Sequence, residues 1–451
     1  MITLEQQPYA WSARGQKLIY RASSDQTTQT GFKYIVRVTD VSNTRNYEFL
    51  YDPTPFDEKL YFDLNPLVYL RNWENDSGGK YIVPHYTPTH APTEEPESYG
   101  YARYDVEIGE GWLINGIFTE NPDEGYEPVD AEQVYIYNAY LQAFYDFRPN
   151  PETGIAPVNF SLTDLDSYAW SDRWLYTSPM PSLPTIPSVS WDPDWVYIPT
   201  YISDWGAIAC EIGGTVLSNN EAVALRIVGI DLFGTSSQNF SFSDYNFSHV
   251  GIYPQNLNIS TSTFNPVTNP NWVAYQAYFI NSSGQRRSKI YVFYNAAQYG
   301  QHDCKNDIIR IAWVSMRGGW DYFNFIKRSE ITNQVDRKQF TRRLNNNSTK
   351  MFFPNQRQTI DTINLNERIL TVNSDWVSEN EFIYLKNLFN SNQVQWLTKT
   401  TLYPLQGDLN VEPEQAVPVS LVDTTFIEQR GRNGKKVNVT LKFKITQDYW
   451  T

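Results

Sequence analysis

The sequence predicts a mainly β chain of several sandwich or barrel modules, the last of them a β domain carrying one short helix. Three observations predict it. Aromatic residues make up 16% of the chain, with 32 Tyr, 24 Phe and 14 Trp, and flat or branched side chains fit a half-buried pleated surface. The 26 prolines and 23 glycines punctuate short apolar runs, as turns do in sandwiches. Long helical periodicities are almost absent. At 451 residues the chain exceeds one ordinary core. The expected organisation is an N-terminal β module (1–150), a proline-rich connector (151–199), a middle sandwich-like domain (200–300) and a C-terminal β domain (301–451).

In the opening module the alternating runs Gln16–Ala22, Phe32–Asp40 and Tyr47–Tyr51 read as strands, with turns near Ser23–Thr30 and Asp52–Pro55. In Tyr61–Val68 the Asn65-Pro66 step breaks a continuous strand, because proline cannot donate to the ladder and restricts its predecessor. Residues 84–98, rich in proline and glutamate with almost no large apolar side chain, are expected to be a mobile loop or linker. Strand-like or short helical patterning returns at Tyr101–Gly109 and Gln133–Phe147. The second proline-rich passage, Thr177–Pro199, carries no charge before Asp192 and is expected as an extended, polyproline-like connector.

In the middle domain the strand candidates are Trp205–Glu211, Ala222–Ile230, Trp272–Ile280 and Lys289–Tyr294, with 237–265 expected as a long exposed hairpin or loop. Beyond it, Ile308–Met316 and Tyr322–Lys327 read as the two strands of a hairpin whose turn holds Gly318, Gly319 and Trp320. Ile309, Ile311 and Trp313 are expected on a buried face, with Arg310, Ala312 and Val314 on the other. Ser378 and Glu381 form a capping box ahead of Phe382, Leu385, Leu388 and Phe389, one apolar stripe of a helix over about 378–390. A strand begins at Val394–Leu397. In VNVTLKFKI, Val437, Val439, Leu441, Phe443 and Ile445 alternate with polar residues, a strand with one buried face.

Net charge is −14 and unevenly spread. Residues 51–130 hold 17 Asp/Glu against 4 Lys/Arg, a balance of −13, whereas 286–350 hold 13 Lys/Arg against 5 Asp/Glu, a balance of +8. Such polarity allows an acidic face on one copy to complement a basic face on the next. The basic clusters are short and sit in no nucleic-acid-binding motif, so nucleic acid is not an expected partner. Two cysteines, Cys210 and Cys304, exclude a disulfide scaffold and suit assembly in a reducing cytosol. No signal peptide or membrane span is legible, and the sequons at Asn239 and Asn258 read as incidental.

Enzyme signatures are weak. His85, His90, His249 and His302 form no metal-ligand spacing, and neither a nucleophile elbow nor a phosphate-binding loop is present. No cofactor, metal ligand or catalytic residue is assigned. The carboxylate pairs that a glycosidase would draw on are Asp192 with Asp194 and Glu107 with Glu110, and both read more simply as surface groups.

The ordered set IIRIAWVSMRGGWDYFNFIKR, ILTVNSDWVSENEFIYLKNLFNSNQVQWL and VNVTLKFKI resembles the minor structural proteins of tailed-bacteriophage tails. Their Trp-to-Phe double-glycine hairpin corresponds to Trp313 through Phe323, and their Thr-x-Asp-Trp helix motif to Thr371 through Leu388. Met316-Arg317 departs from the Asn or Leu more usual before the glycines. FKYIVRV, YFDLNPLV and VEIGEGW are also similar, so the resemblance covers 30–70, 105–145 and 305–445. It implies a virion component of tail, hub, baseplate or collar type, made in the host cytoplasm and packed in a ring with its own copies and neighbouring virion proteins. On that view Lys327, Arg328, Arg337, Lys338, Arg342 and Arg343 face an acidic partner, either 51–130 of the next copy or another tail protein. A carbohydrate-binding adhesin contacting host surface glycan, and a β-rich glycan hydrolase, are the alternatives.

Overall fold

The computed structural model describes residues 2–8, 11–15, 17–68, 84–86, 89, 93–94, 101–123, 125–131, 133–137, 181–186, 189–193, 195–212, 224–241, 245–259, 262–286, 290–300, 307–314, 320–341, 359–377, 379–391, 393–398, 415–422, 429–430 and 437–445. The fold is mainly β, with several multi-stranded, largely antiparallel sheets. Two compact units are present, 1–301 with 314–321, and 302–313 with 322–451.

The first strands of the first unit are β1 (Ile2–Gln6), β2 (Trp11–Ala13), β3 (Ile19–Ser24), β4 (Lys33–Asp40), β5 (Arg45–Tyr51) and β6 (Leu60–Asp63). The short β7 (Thr93–Glu94) precedes β8 (Tyr101–Ile114), β9 (Ile117–Glu120), β10 (Val129–Asp130) and β11 (Val134–Tyr137). A three-stranded sheet, β1-β3-β6, packs on a seven-stranded one whose spine is β2-β11-β8-β4-β5. Their inner faces share one core, in which Tyr20, Leu60 and Phe62 meet Tyr34, Val36, Tyr104, Ile108 and Ile136. After β6 the chain turns at Asn65–Leu67 in a 3₁₀ helix with Pro66 in its first turn, the break expected there. Between β8 and β9 the turn Asn115-Gly116 has φ of 52° and 80°, the two left-handed residues that a tight hairpin with the sheet's own twist requires.

The middle strands are β12 (Val196–Thr200), β13 (Ala207–Ile212), β14 (Ala224–Asp231), β15 (Gly234–Ser241), β16 (Tyr245–Gly251), β17 (Trp272–Ile280) and β18 (Tyr291–Asn295), followed by the one-turn helix α1 (Ala296–Tyr299). Two sheets result, β12-β18-β17-β14-β15 and β13-β16-β7. Tyr275 anchors the space between them, stacked on Phe293 at 5.0 Å and donating its hydroxyl to the Ile252 carbonyl at 2.8 Å.

Three expectations are corrected here. The described residues of 237–265 form no exposed hairpin or loop. They supply most of β15 and all of β16, then a turn that buries Ile252, Leu257 and Phe264, because aromatic and aliphatic side chains spaced through the polar run find the core. The described part of the 84–98 loop is pinned. β7 pairs with β16, and buried Asn256 donates to the His85 carbonyl at 2.8 Å while its own carbonyl accepts from the Thr89 amide at 3.1 Å. The end of the proline-rich passage is strand β12, which pairs parallel with β18 at the sheet edge, where Pro199 is tolerated.

One eight-stranded sheet lies mostly in the second unit, with Val314, Trp320 and Asp321 in the first. Its strands are β19 (Ile309–Val314), β20 (Trp320–Phe325), β21 (Glu330–Thr341), β22 (Thr359–Val377), β23 (Val394–Thr398), β24 (Gln415–Leu421), β25 (Gln429–Arg430) and β26 (Val437–Ile445), with helix α2 (Glu379–Phe389) between β22 and β23. The order is β20-β19-β23-β24-β26-β22-β21, with β25 paired to β26. The α2 stripe Phe382, Leu385 and Leu388 is buried, and Tyr384 reaches Trp313 at 5.2 Å and exchanges hydrogen bonds with the Tyr322 backbone. Ser378 of the expected capping box lies outside the described residues. β26 alternates buried and solvent-facing residues as its sequence predicts. β19 differs from expectation, being buried on both faces. Arg310 is accommodated there by donating to Asn324 at 3.0 Å and lying over the Tyr322 ring at 4.8 Å.

Candidate interaction surface

β21 and β22 pair antiparallel from Glu330↔Thr371 to Thr341↔Thr359, with one bulge between Lys338 and Gln339. On its other side, among the described residues, β22 meets β26 from Ile369 to Val377. Beyond that point, β21 from Asn333 onward and its partners on β22 extend past the sheet as a two-stranded ribbon, about 30 Å long at the rise of an antiparallel strand. Every β21 side chain described, Glu330–Gln334 and Lys338–Phe340, is exposed, so both faces of the strand meet solvent. Ile331 and Phe340 are 40% and 48% exposed. A two-stranded ribbon on its own is marginal in water. This one is anchored at its root by the sheet and by the ion pair of Lys444 with Glu367 at 2.6 Å.

The expected basic cluster is distributed along this arm rather than gathered in one patch. Lys327 and Arg328 are exposed in the link between β20 and β21, the Lys327 amide donating to the Asn373 carbonyl at 3.3 Å. Arg337 and Lys338 stand opposite Asn364 and Ile363 on the outer part of the ribbon, roughly 25–30 Å further along the strand. The side chain of Arg337, together with Arg342, Arg343, Gly318 and Gly319, lies outside the described residues. Trp320 opens β20 and is buried, a packing residue. β21 was not legible as a strand pattern, since none of its described side chains is buried and no alternation results. A weaker signal was present: 330–341 and 359–377 contain neither proline nor glycine.

The acidic segment also resolves into a surface. On the outer face of the seven-stranded sheet, Arg37 is held by Glu48, Glu107 and Glu120 at 3.0, 2.6 and 2.7 Å. Hydrogen bonding to Glu120 first, then to Glu107 and Glu48, keeps the guanidinium protonated well above the ordinary arginine range. One cation thus serves three carboxylates, with Asp105 and Asp130 on neighbouring strand positions. Glu110 is different. Three residues along β8 from Glu107, it turns to the inner face, fully buried, accepting from Ser24 Oγ at 2.5 Å and Asn121 Nδ2 at 2.7 Å. Glu107 and Glu110 therefore project to opposite faces of one strand and do not flank a common bond, as a glycosidase pair must. Asp194 of the other pair lies outside the described residues.

His85 and His249 are buried, whereas His90 and His302 lie outside the described residues. Among the described residues, no group of three His, Cys, Asp or Glu side chains is placed to hold a metal ion, and no helix is long and apolar enough to cross a membrane. No protein-family model, curated protein or solved structure matches the chain.

Proposed function

We propose that the chain is a structural subunit of a tailed-phage virion, of tail, hub, baseplate or collar type, working by protein–protein contacts that close a ring of copies. The observation that carries this reading is the β21/β22 ribbon. It is an extended arm that runs beyond β26, exposes every described side chain of β21 and brings basic residues to its outer part. An arm of that kind gains little from its own chain and is completed by a neighbour. The residues behind the phage-tail resemblance are compatible with a scaffold role: Trp313 to Phe323 takes in the end of β19 and the start of its neighbour β20, and Thr371 to Leu388 the end of β22 and most of α2.

Electron microscopy of the purified chain at low salt tests the proposal. Closed rings of one defined copy number are the expected result. Monodisperse single chains that bind an arrayed glycan would overturn it in favour of the adhesin reading.

A further inference from the structure

The long edge strands of the sheets are guarded in different ways. Natural edges are blunted by charge, proline or bulges, because a bare edge is a template for another strand. β5 carries Arg45 and Glu48, β12 carries Pro199, and β21 carries Glu330, Asp336, Arg337 and Lys338 as well as a bulge. β15, Gly-Thr-Ser-Ser-Gln-Asn-Phe-Ser, has none of these devices. It pairs with β14 over its full length without a register shift, and among the described residues β14 is its one strand neighbour.

Its backbone is set for a further partner. Asp231 and Gly234 flank the two-residue turn Leu232-Phe233, with the Asp231 carboxylate accepting from the Phe233 and Gly234 amides at 2.8 and 2.9 Å. Residues flanking a two-residue turn form a hydrogen-bonded pair, and the pattern then alternates. Thr235, Ser237, Asn239 and Ser241 therefore direct their amides and carbonyls away from β14. The same four side chains are the exposed ones, while Ser236, Gln238 and Phe240 face inward.

We propose that β15 is a self-pairing edge: β15 of a second copy adds antiparallel to it about a two-fold axis, making the two five-stranded sheets continuous. The occupant follows from the strand's own chemistry. Outward-directed positions hydrogen-bond to outward-directed positions, so each copy keeps Phe240 on the inner face and the hydroxyl and amide side chains on the outer face. No charge meets its like, and Ser and Thr facing one another across strands are favourable. A strand laid along this edge also passes the turn, where Phe233 is 82% exposed, and covers part of it. The inference uses neither the ribbon nor the virion reading and stands or falls apart from them.

Sedimentation equilibrium of the full-length chain at about 1 M salt, where the Debye length falls to about 3 Å and charge contacts are screened, isolates this pairing. The expected mass is twice the 52.4 kDa of one chain. Ser237→Pro removes an outward amide without touching the β14 ladder, and Ser237→Lys installs a repelling guard. Both are expected to give one-chain mass with an unchanged circular dichroism spectrum. The Thr235, Ser237 and Asn239 amides are expected to exchange slowly in the wild-type pair and rapidly in the lysine variant. A wild-type chain that stays single at its highest soluble concentration overturns the proposal, as does a lysine variant that pairs like wild type.

Discussion

β26 and β21 lie in one sheet, separated by β22 alone, and could hardly differ more in how they are held. β26 buries Val437, Val439, Leu441, Phe443 and Ile445 on one face and turns its polar residues outward. β21 buries none of its described side chains. The first strand is stabilised by its own core. The second is stabilised by hydrogen bonds to β22, with little apolar burial to add. The proposed assembly role rests on that contrast, with a neighbouring copy supplying what β21 lacks among its described contacts.

The largest effect expected from testing the contrast is in β26. Phe443 is fully buried, and Phe443→Ala should cost about 3–5 kcal/mol in a denaturant unfolding curve. A loss under about 1 kcal/mol would show that this face is not the core of the second unit. Next comes Gly229 in β14, where an added Cβ would meet the Phe264 ring at about 2.0 Å. Gly229→Ala is expected to destabilise by about 1–3 kcal/mol through overpacking, read as a lowered midpoint. An unchanged midpoint would mean that the ring moves aside freely.

Smaller still is the surface pair at Glu5, 2.7 Å from Lys59 and 2.9 Å from Arg21. The hydrogen bond from Lys59 lowers the Glu5 carboxyl below its ordinary value, against some desolvation. A lowered folded-state value gives stability that is present above the unfolded carboxylate range and lost as pH falls through the folded one. Both partners are partly exposed, so Glu5→Gln should cost less than about 1 kcal/mol at neutral pH and nothing in strong acid. A cost that persists in acid would mean that packing, not charge, is the cause. The smallest expected effect sits on the ribbon. Phe340→Ser should change unfolding stability by less than about 0.5 kcal/mol yet weaken association measured by light scattering. A large loss of stability would show that Phe340 has an intramolecular core.

The same contrast explains what was legible in the sequence. Strands with one dominant buried face announced themselves: Lys33–Asp40 and Val437–Ile445 lie where their alternation put them, and the apolar run Trp272–Ile280 is a strand buried on both faces. β19 was found as a strand, but its two-sided burial was not, because Arg310 reads as a solvent-facing residue until Tyr322 and Asn324 are seen around it. Residues 237–265 read as an exposed hairpin or loop because β15 lies at an edge and its polar outer face resembles a coil. The basic residues were found by type alone. Their arrangement along an arm depends on the β21 and β22 pairing, which leaves no periodic trace when neither face of β21 is buried. The opposite orientations of Glu107 and Glu110 follow from strand alternation once β8 is known to run unbroken through both.

The central claim is that the basic arm makes contacts between chains. Its most direct test is the solution mass of the wild-type chain and of the triple variant Arg337→Gln, Arg342→Gln, Arg343→Gln, measured by light scattering across a salt series. The account predicts a wild-type assembly larger than two chains at low salt that shrinks as salt screens the contact, and a triple variant that stays folded but does not exceed two chains at any salt. A wild-type mass indifferent to salt, or a triple variant that assembles as well as wild type, would contradict it.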